Sequence, residues 1–503
     1  MLIFGTHPLK ESLQTWCSGK GYGCRTFPWL SVPDDAPSCP DELAVLTSPD
    51  GDGSVQDALA LKFLSELAVL WKDAGKKPTV HLLLQEKGTL RMLGRLGLPE
   101  DIEERFEVWP FTMEEAWADY ITVRFPGLSE NPYPGLDREP VTADSGQFVH
   151  LVILGCDDYA ESIAVRAAQV AHFPNYRGSD NVPLRTRISI VSSDAAAFRD
   201  RMVSRYSTLF ANSVYRSVDP AGKTSELHRP SWAGTHEDFV DVEWEFVCGG
   251  LHQDEVSERL SMWASDPKRQ TTIVLSGPCD ADNLDLALSL PEAVASHSIP
   301  VWVRQSTDIL FSVGTRGNLI PFGMDDRGYD PGLPALHMSK LLNYVYFCIF
   351  SGSSVPTVFP REEVENAWKG AGGLQMRMSN VYNVMTMATK LHSLGHAIRD
   401  LGNFYALTGE ETLALSRTEH NRWCVERLLA GFRPCTDEER DAIEADISLK
   451  GRYKKERKAH FDICAESELG KDEQGNDVRI YDRQLTAAIP LIVDTFIKEE
   501  GRQ

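Results

Sequence analysis

Positive charge is the scarce component of this 503-residue chain: 51 lysines and arginines stand against 73 aspartates and glutamates, a net charge of −22. Binding to a bulk phosphate backbone depends on cationic neutralisation, so the balance excludes general nucleic-acid binding while leaving room for a small basic pocket. No two of the ten cysteines form a C-x-x-C pair, which removes a zinc ribbon or a dithiol redox motif. Several sit in apolar runs such as Tyr344–Phe350, where a reduced cysteine is a small hydrophobe. Long apolar runs are missing as well, and the strongest, Leu341–Phe350, is about half a membrane span. No basic stretch precedes Leu2-Ile3-Phe4-Gly5, which reads as a strand entering a turn rather than as a leader. G-x-S-x-G, the Walker P-loop, H-E-x-x-H and H-x-E…C-x-x-C are all absent, and no metal site is written in the sequence. What remains is an ordinary globular composition, 42% hydrophobic and 25% charged, in a chain long enough for about three domains. The expectation is a cytoplasmic, multidomain protein without a membrane span.

Short apolar runs alternate with helical periodicity from the start. Leu2–Phe4, Cys24–Phe27, Leu43–Leu46, Val80–Leu84 and Phe106–Trp109 read as strands, and Leu59–Trp71 and Met113–Tyr120 as helices between or after them. That alternation predicts a parallel sheet covered on both faces. The proline- and glycine-rich stretch 125–145 marks a boundary. The pattern then restarts: strands at Phe148–Leu154, Arg187–Val191, Phe239–Val247, Thr271–Leu275, Pro300–Arg304 and Asn318–Phe322, with helices between most of them. Six such strands make a second doubly wound unit. The segments Arg216–Asp238 and 314–335 are expected as long loops. Beyond 351–360 (SGSSVPTVFP) the chain reads as helix at Trp368, Val381–Leu394, Glu411–Leu429, Glu438–Leu449 and Leu485–Lys498. The predicted fold class is α/β, with two doubly wound Rossmann-like units (1–125 and 146–350) in tandem before an all-α domain (361–503).

A dinucleotide turn needs G-x-G-x-x-G/A, so that the backbone can approach a pyrophosphate at a helix N-terminus. The second unit offers Gly155-Cys156-Asp157-Asp158-Tyr159-Ala160. Gly155 and Ala160 fit, whereas Asp157 occupies the middle glycine position, where a carboxylate either repels a phosphate or caps the helix. Asp194, after the next strand, is the candidate for ribose hydroxyls. It lies farther along than the usual ~20 residues, which the polar insert 175–185 explains. The first unit keeps only Gly5 of the pattern.

The segments FVHLVILGCDDYAESIAVRAAQ, RTRISIVSSD, TTIVLSGPCDADNLDLALSLPEAV and IPVWVRQ resemble the nucleotide-binding N-terminal domain of potassium-uptake regulators (TrkA-N type), over about residues 147–313. The resemblance implies binding of NAD or another adenine nucleotide, dimerisation, and transmission of ligand state rather than chemistry.

In the helical third, Leu415–Phe432 (LSRTEHNRWCVERLLAGF) is similar to the signature helix of the bacterial ryanodine-receptor repeat domain, with Phe432 where that family commonly has tryptophan. Trp368, Arg377-Met378-Ser379-Asn380, Lys458-Ala459-His460 with Asp462, Tyr481-Asp482-Arg483 and Ala488-Ile489-Pro490 match in the expected order, and 467–477 is an insert. From the residues themselves, Glu419, Arg422 and Trp423 share one helix face. A carboxylate, a planar cationic fork and an aromatic surface suit an adenine ring and a phosphate. Alternatively, Glu419 and Arg422 form an internal ion pair and Trp423 belongs to the core. The run Arg452–His460 is the densest positive cluster in the chain, so Lys458 and His460 are candidate anion contacts. His420 adjoins Glu419, but neighbours on a helix point about 100° apart.

Three functions follow from these readings. The first is a nucleotide-sensing regulatory or effector protein, a homo-oligomer binding a nucleotide-derived small molecule, which the resemblances associate with bacterial signalling or antiphage defence. The second is an NAD(P)-dependent oxidoreductase or a nucleotide-processing enzyme using His420 or His460. The third is an oligomeric adaptor whose Rossmann-like units hold no ligand.

Overall fold

The computed structural model describes the chain except residues 34–36, 125–134, 179–183, 234, 310–316, 333, 396–405, 473 and 501–503. Parts of the expected boundary at 125–145, the insert at 175–185 and the loop at 314–335 therefore lie outside the described residues. Within them the chain forms an α/β structure on parallel sheets, followed by helices.

The first sheet is built from β1 (Leu2–Gly5), β2 (Arg25–Phe27), β3 (Glu42–Leu46), β4 (Thr79–Leu83) and β5 (Glu107–Phe111), in the order β2-β1-β3-β4-β5 and parallel throughout. The second contains β6 (Phe148–Leu154), β7 (Thr186–Ser192), β8 (Val214–Val218), β9 (Thr224–His228), β10 (Val242–Cys248), β11 (Arg269–Leu275), β12 (Val301–Arg304) and β13 (Leu319–Phe322). Its order is β13-β12-β11-β6-β7-β10-β8-β9, with only β9 antiparallel. Without the β8–β9 hairpin this is the 3-2-1-4-5-6 arrangement of a Rossmann-like sheet, and the first sheet is the same arrangement lacking its third strand. Strands buried on both faces read as continuous apolar runs, and all seven residues of β6 are buried. The hairpin corrects the expected loop at Arg216–Asp238. Its outer strand, Thr-Ser-Glu-Leu-His, is polar and mostly exposed, so no apolar alternation announces it.

The two sheets share a core that joins Ile3, Ala44 and Leu83 to Val149, Ile153 and Ile190. Helix Met113–Thr122 packs on helix Asp158–Val170 between them, and the Trp117 indole N–H donates to the Met324 carbonyl at 3.1 Å. A fully buried carboxylate, Glu161, completes the junction. From the first unit it takes Arg91 at 3.1 Å and Lys87 at 3.8 Å; from the second it takes Arg205 and the Tyr206 hydroxyl.

The expected boundary at 350 is not where the packing divides. Helix Pro334–Phe350 buries Met338, Leu341, Leu342 and Val345 among Val364, Trp368, Val381, Ile489 and Ile492, so it belongs to the core of the helical region. That region continues through helices Arg361–Gly370, Leu374–Met385, Met387–Ser393, Gly409–Leu429, Asp437–Ala445, Leu449–Arg457, Arg479–Ala487 and Ile489–Glu500. It also carries a two-residue parallel pairing of Arg433–Pro434 with Ala459–His460, unexpected in an all-α reading. Capping boxes Thr408/Glu411 and Thr436/Glu439 start two of these helices. Among the described residues no helix is long and apolar enough to cross a membrane.

Replacing Glu161 with glutamine keeps the shape and removes the charge that gathers cations from both units. Because those cations are partly exposed, the expected loss is about 1–3 kcal/mol in chemical denaturation; an unchanged midpoint would show that the junction does not depend on this carboxylate.

Candidate functional site

Five of the predicted residues, Glu419, His420, Arg422, Trp423 and His460, line one cavity of about 430 Å³. Helix Gly409–Leu429 forms its floor. The helix is polar in sequence, yet Glu419, His420, Arg422, Glu426 and Arg427 are all buried. Buried charge requires partners, and here the charges supply one another. Arg422 donates from Nε and Nη2 to Glu419 at 2.8–3.0 Å and from Nη1 to Glu426 at 2.7 Å. Lys390 reaches the other side of Glu419 at 2.5 Å, Asn383 donates to Glu419 at 2.8 Å, and Arg427 donates to Glu426 at 2.5 Å and to the Ser379 hydroxyl at 2.7 Å. Burial alone would raise the Glu419 carboxyl, but Arg422 and Lys390 hold it down at about 2. Arg422 is thus an internal ion-pair residue that borders the cavity, and its fork is directed at Glu419 and Glu426.

Above this floor stands an aromatic cluster. The Trp423 ring lies 5.9 Å from His420 and 5.0 Å from His460, and the Arg427 guanidinium sits 5.7 Å over it. The two histidines are held in opposite states. His420 faces the Asp482 carboxylate at Nδ1 (3.2 Å) and the Cys464 carbonyl at Nε2 (2.8 Å). The Cys464 carbonyl requires Nε2 to donate, and Nδ1 shares a proton with the Asp482 carboxyl, which burial raises. Burial opposes the charge, but the Cys424, Asp482 and Cys464 side chains raise His420 well above its ordinary value. His460 accepts the Asp462 N–H at Nδ1 (3.3 Å), and burial together with Lys454, Arg427 and Lys450 keeps it well below the usual histidine range and neutral. With both nitrogens of His420 engaged inside the protein, a general-base role for it has no geometric support.

Lys458 does not point into the cavity wall formed by its neighbours. It ends helix Leu449–Arg457 in a left-handed conformation (φ 55°) and lays its ammonium 4.7 Å over the Phe432 ring. Lys450 and Lys454 line the cavity instead, and their spacing of four on one helix is the signal that would have found them. The opposite wall comes from helix Pro334–Phe350 and helix Leu374–Met385, with Asn343, Tyr346, Phe350 and Asn380, and Tyr481 closes it 6.2 Å from Tyr346. Distance in sequence hid this wall.

Gly155, Asp157, Ala160 and Asp194 lie apart, at the carboxyl edge of the second sheet. Gly155 follows β6 at the switch point beside β11 with φ +139°, and a Cβ there would sit 2.4 Å from the Ser276 hydroxyl oxygen. Asp157 accepts the Ala160 N–H at 2.9 Å as the helix cap and pairs with Arg304 at 2.5 Å. Burial raises the Asp157 carboxyl despite these partners. Of the two readings of Asp157, the cap is the one seen: the donors of this helix end face the protein's own carboxylate. Asp194 stands exposed beyond β7, and its side chain caps nothing. Among the described residues no group of three or more His, Cys, Asp or Glu side chains is placed to hold a metal ion.

Comparison of the chain with family models, with curated proteins and with solved structures finds no match. The site therefore has to be read from its own chemistry.

Two outcomes test the floor and its neighbour. Arg422→Ala leaves Glu419 and Glu426 buried without their shared partner, and the expected destabilisation is about 3–5 kcal/mol by denaturant titration; a near-neutral variant would mean that water replaces the pair. His420 carries a raised value, so its stabilisation is fully present below about 6.5 and declines as the pH climbs toward the folded value. The stability gap between the native chain and His420→Gln should thus be widest below about pH 6.5 and shrink as the pH is raised. A gap that widens with pH would contradict the imidazolium.

Proposed function

We propose that this chain is a nucleotide-sensing regulatory or effector protein that binds a nucleotide-derived small molecule in the helical region. One observation carries the reading. Trp423, Tyr346 and Tyr481 share a cavity with Arg427, Lys450 and Lys454, in a chain whose net charge is −22. Aromatic faces stack a base, and a local cluster of cations lets an anion approach an otherwise repelling surface. The volume of about 430 Å³ falls within the range of small-ligand sites. The resemblance of Leu415–Phe432 and its companion motifs to the ryanodine-receptor repeat domain supports the same reading, and bacterial signalling or antiphage defence is the setting it suggests. On this reading the Rossmann-like sheets transmit or assemble rather than catalyse, in a homo-oligomer. The oxidoreductase alternative has less support, because Asp157 and Arg304 fill the turn that a pyrophosphate needs.

Calorimetric titration of the full chain with AMP is the direct test. Lys454→Ala and Tyr346→Ala should each weaken binding roughly tenfold while the melting temperature of the free protein stays within a degree or two for Lys454→Ala. If both variants bind as the native chain does, the cavity is not the site.

A further inference from the structure

We infer that a second cavity, of about 240 Å³, binds a small apolar acid: a molecule with a hydrophobic body and one carboxylate. This site stands apart from the nucleotide reading. It lies where three bodies meet. Helix Lys87–Leu96 and β5 come from the first unit, helix Asp158–Val170 from the second, and helices Pro334–Phe350, Leu374–Met385 and Gly409–Leu429 from the helical region. Leu90, Val165, Leu374, Met378, Val381 and Leu429 are among the side chains that face the space. Walls of this kind offer water few partners and reward an apolar occupant, and a cavity of about 150 Å³ already takes a benzene ring. The larger volume here has room for a body of about two fused rings.

The charged groups on the walls divide into two sets. Arg166 meets Glu115 at 2.6 Å, Asp119 at 2.5 Å and Gln169 at 2.9 Å, and Glu426 meets Arg422 and Arg427. Every carboxylate on the lining is thus already matched to a guanidinium, which gives a cationic ligand no vacancy. The other set is Arg91 and Arg95, one turn apart on helix Lys87–Leu96 and so on one face. Arg91 gives Nη1 to Glu161 at 3.1 Å, while Arg95 is exposed and has no partner among the described residues. Glu161 does not cancel Arg91, because it is shared with Lys87 at 3.8 Å, Arg201 at 4.0 Å and Arg205. Of these cations only Lys87 reaches a further carboxylate, Asp158 at 3.9 Å. One end of an apolar cavity therefore carries two guanidinium groups with donors to spare. The acid belongs at that end, where the cavity meets solvent, and the hydrophobic body inside it.

Calorimetric titration of the full chain with decanoate and with 2-naphthoate tests the site, the two probes setting a flexible chain against a flat ring on the same acid. At least one should bind, and 2-naphthamide, the ring without the charge, should bind about tenfold more weakly than 2-naphthoate if the ring is the form accepted. Arg95→Gln, at an exposed position, should weaken the bound acid about tenfold and leave the amide unchanged. Ala430→Phe, which pushes a ring into the cavity from its lining, should abolish binding of acid and amide alike. Failure of both acids to bind the native chain overturns the site. Acid binding unchanged in Arg95→Gln overturns the selection for an acid, and binding unchanged in Ala430→Phe places the probe elsewhere on the molecule and overturns the cavity.

Discussion

The helical region is arranged around a buried line of alternating charge: Lys390, Glu419, Arg422, Glu426 and Arg427. Removing ions from water is expensive, and mutual attraction offsets that penalty only with well-formed hydrogen bonds on every member. The line therefore tolerates one register. Glu419 must face Asn383 and Lys390, and Arg427 must face Ser379. Three helices are fixed relative to each other by that demand. An apolar seam of the same size would permit sliding, because it rewards area rather than particular atoms.

The same line touches the rest of the molecule. Glu426 also borders a second cavity of about 240 Å³, shared with Arg166 and Tyr382, where the first sheet's Trp109–Phe111 meets helix Asp158–Val170 and the C-terminal helices. The Thr208 hydroxyl donates to the carbonyl of Leu428 at 2.5 Å, tying the end of the long helix to the second sheet's flank. Arg166 is itself held by Glu115 and Asp119 of the first unit. Charge buried at one place is thus in contact, through few intermediates, with charge buried at another.

Strands and most helices were legible because parallel sheets demand apolar runs, which survive in sequence as Phe148–Leu154 or Val301–Arg304. The β8–β9 hairpin was not, since an exposed edge strand carries no such mark. The Glu419–Trp423 face was legible as a cluster but ambiguous in role. Only the positions of Lys390 and Glu426 decide that Arg422 serves the interior. Lys458 was misleading because a left-handed residue at a helix end reverses the direction that helical spacing implies. The wall of Asn343, Tyr346 and Phe350 was hidden for another reason. The linker 351–360, rich in serine and proline, looks like a border between domains although the packing runs straight across it.

The linker is largely exposed, while the helix before it and the helices after it are buried in one another. A nick in that loop would separate the chain covalently without separating it physically. The fragment beginning at 361 would lack one side of its own cavity and expose the apolar surface that Met338, Leu341 and Val345 cover. Connectivity and cohesion part company there: what the backbone suggests as the C-terminal piece is smaller than the body that holds the cavity.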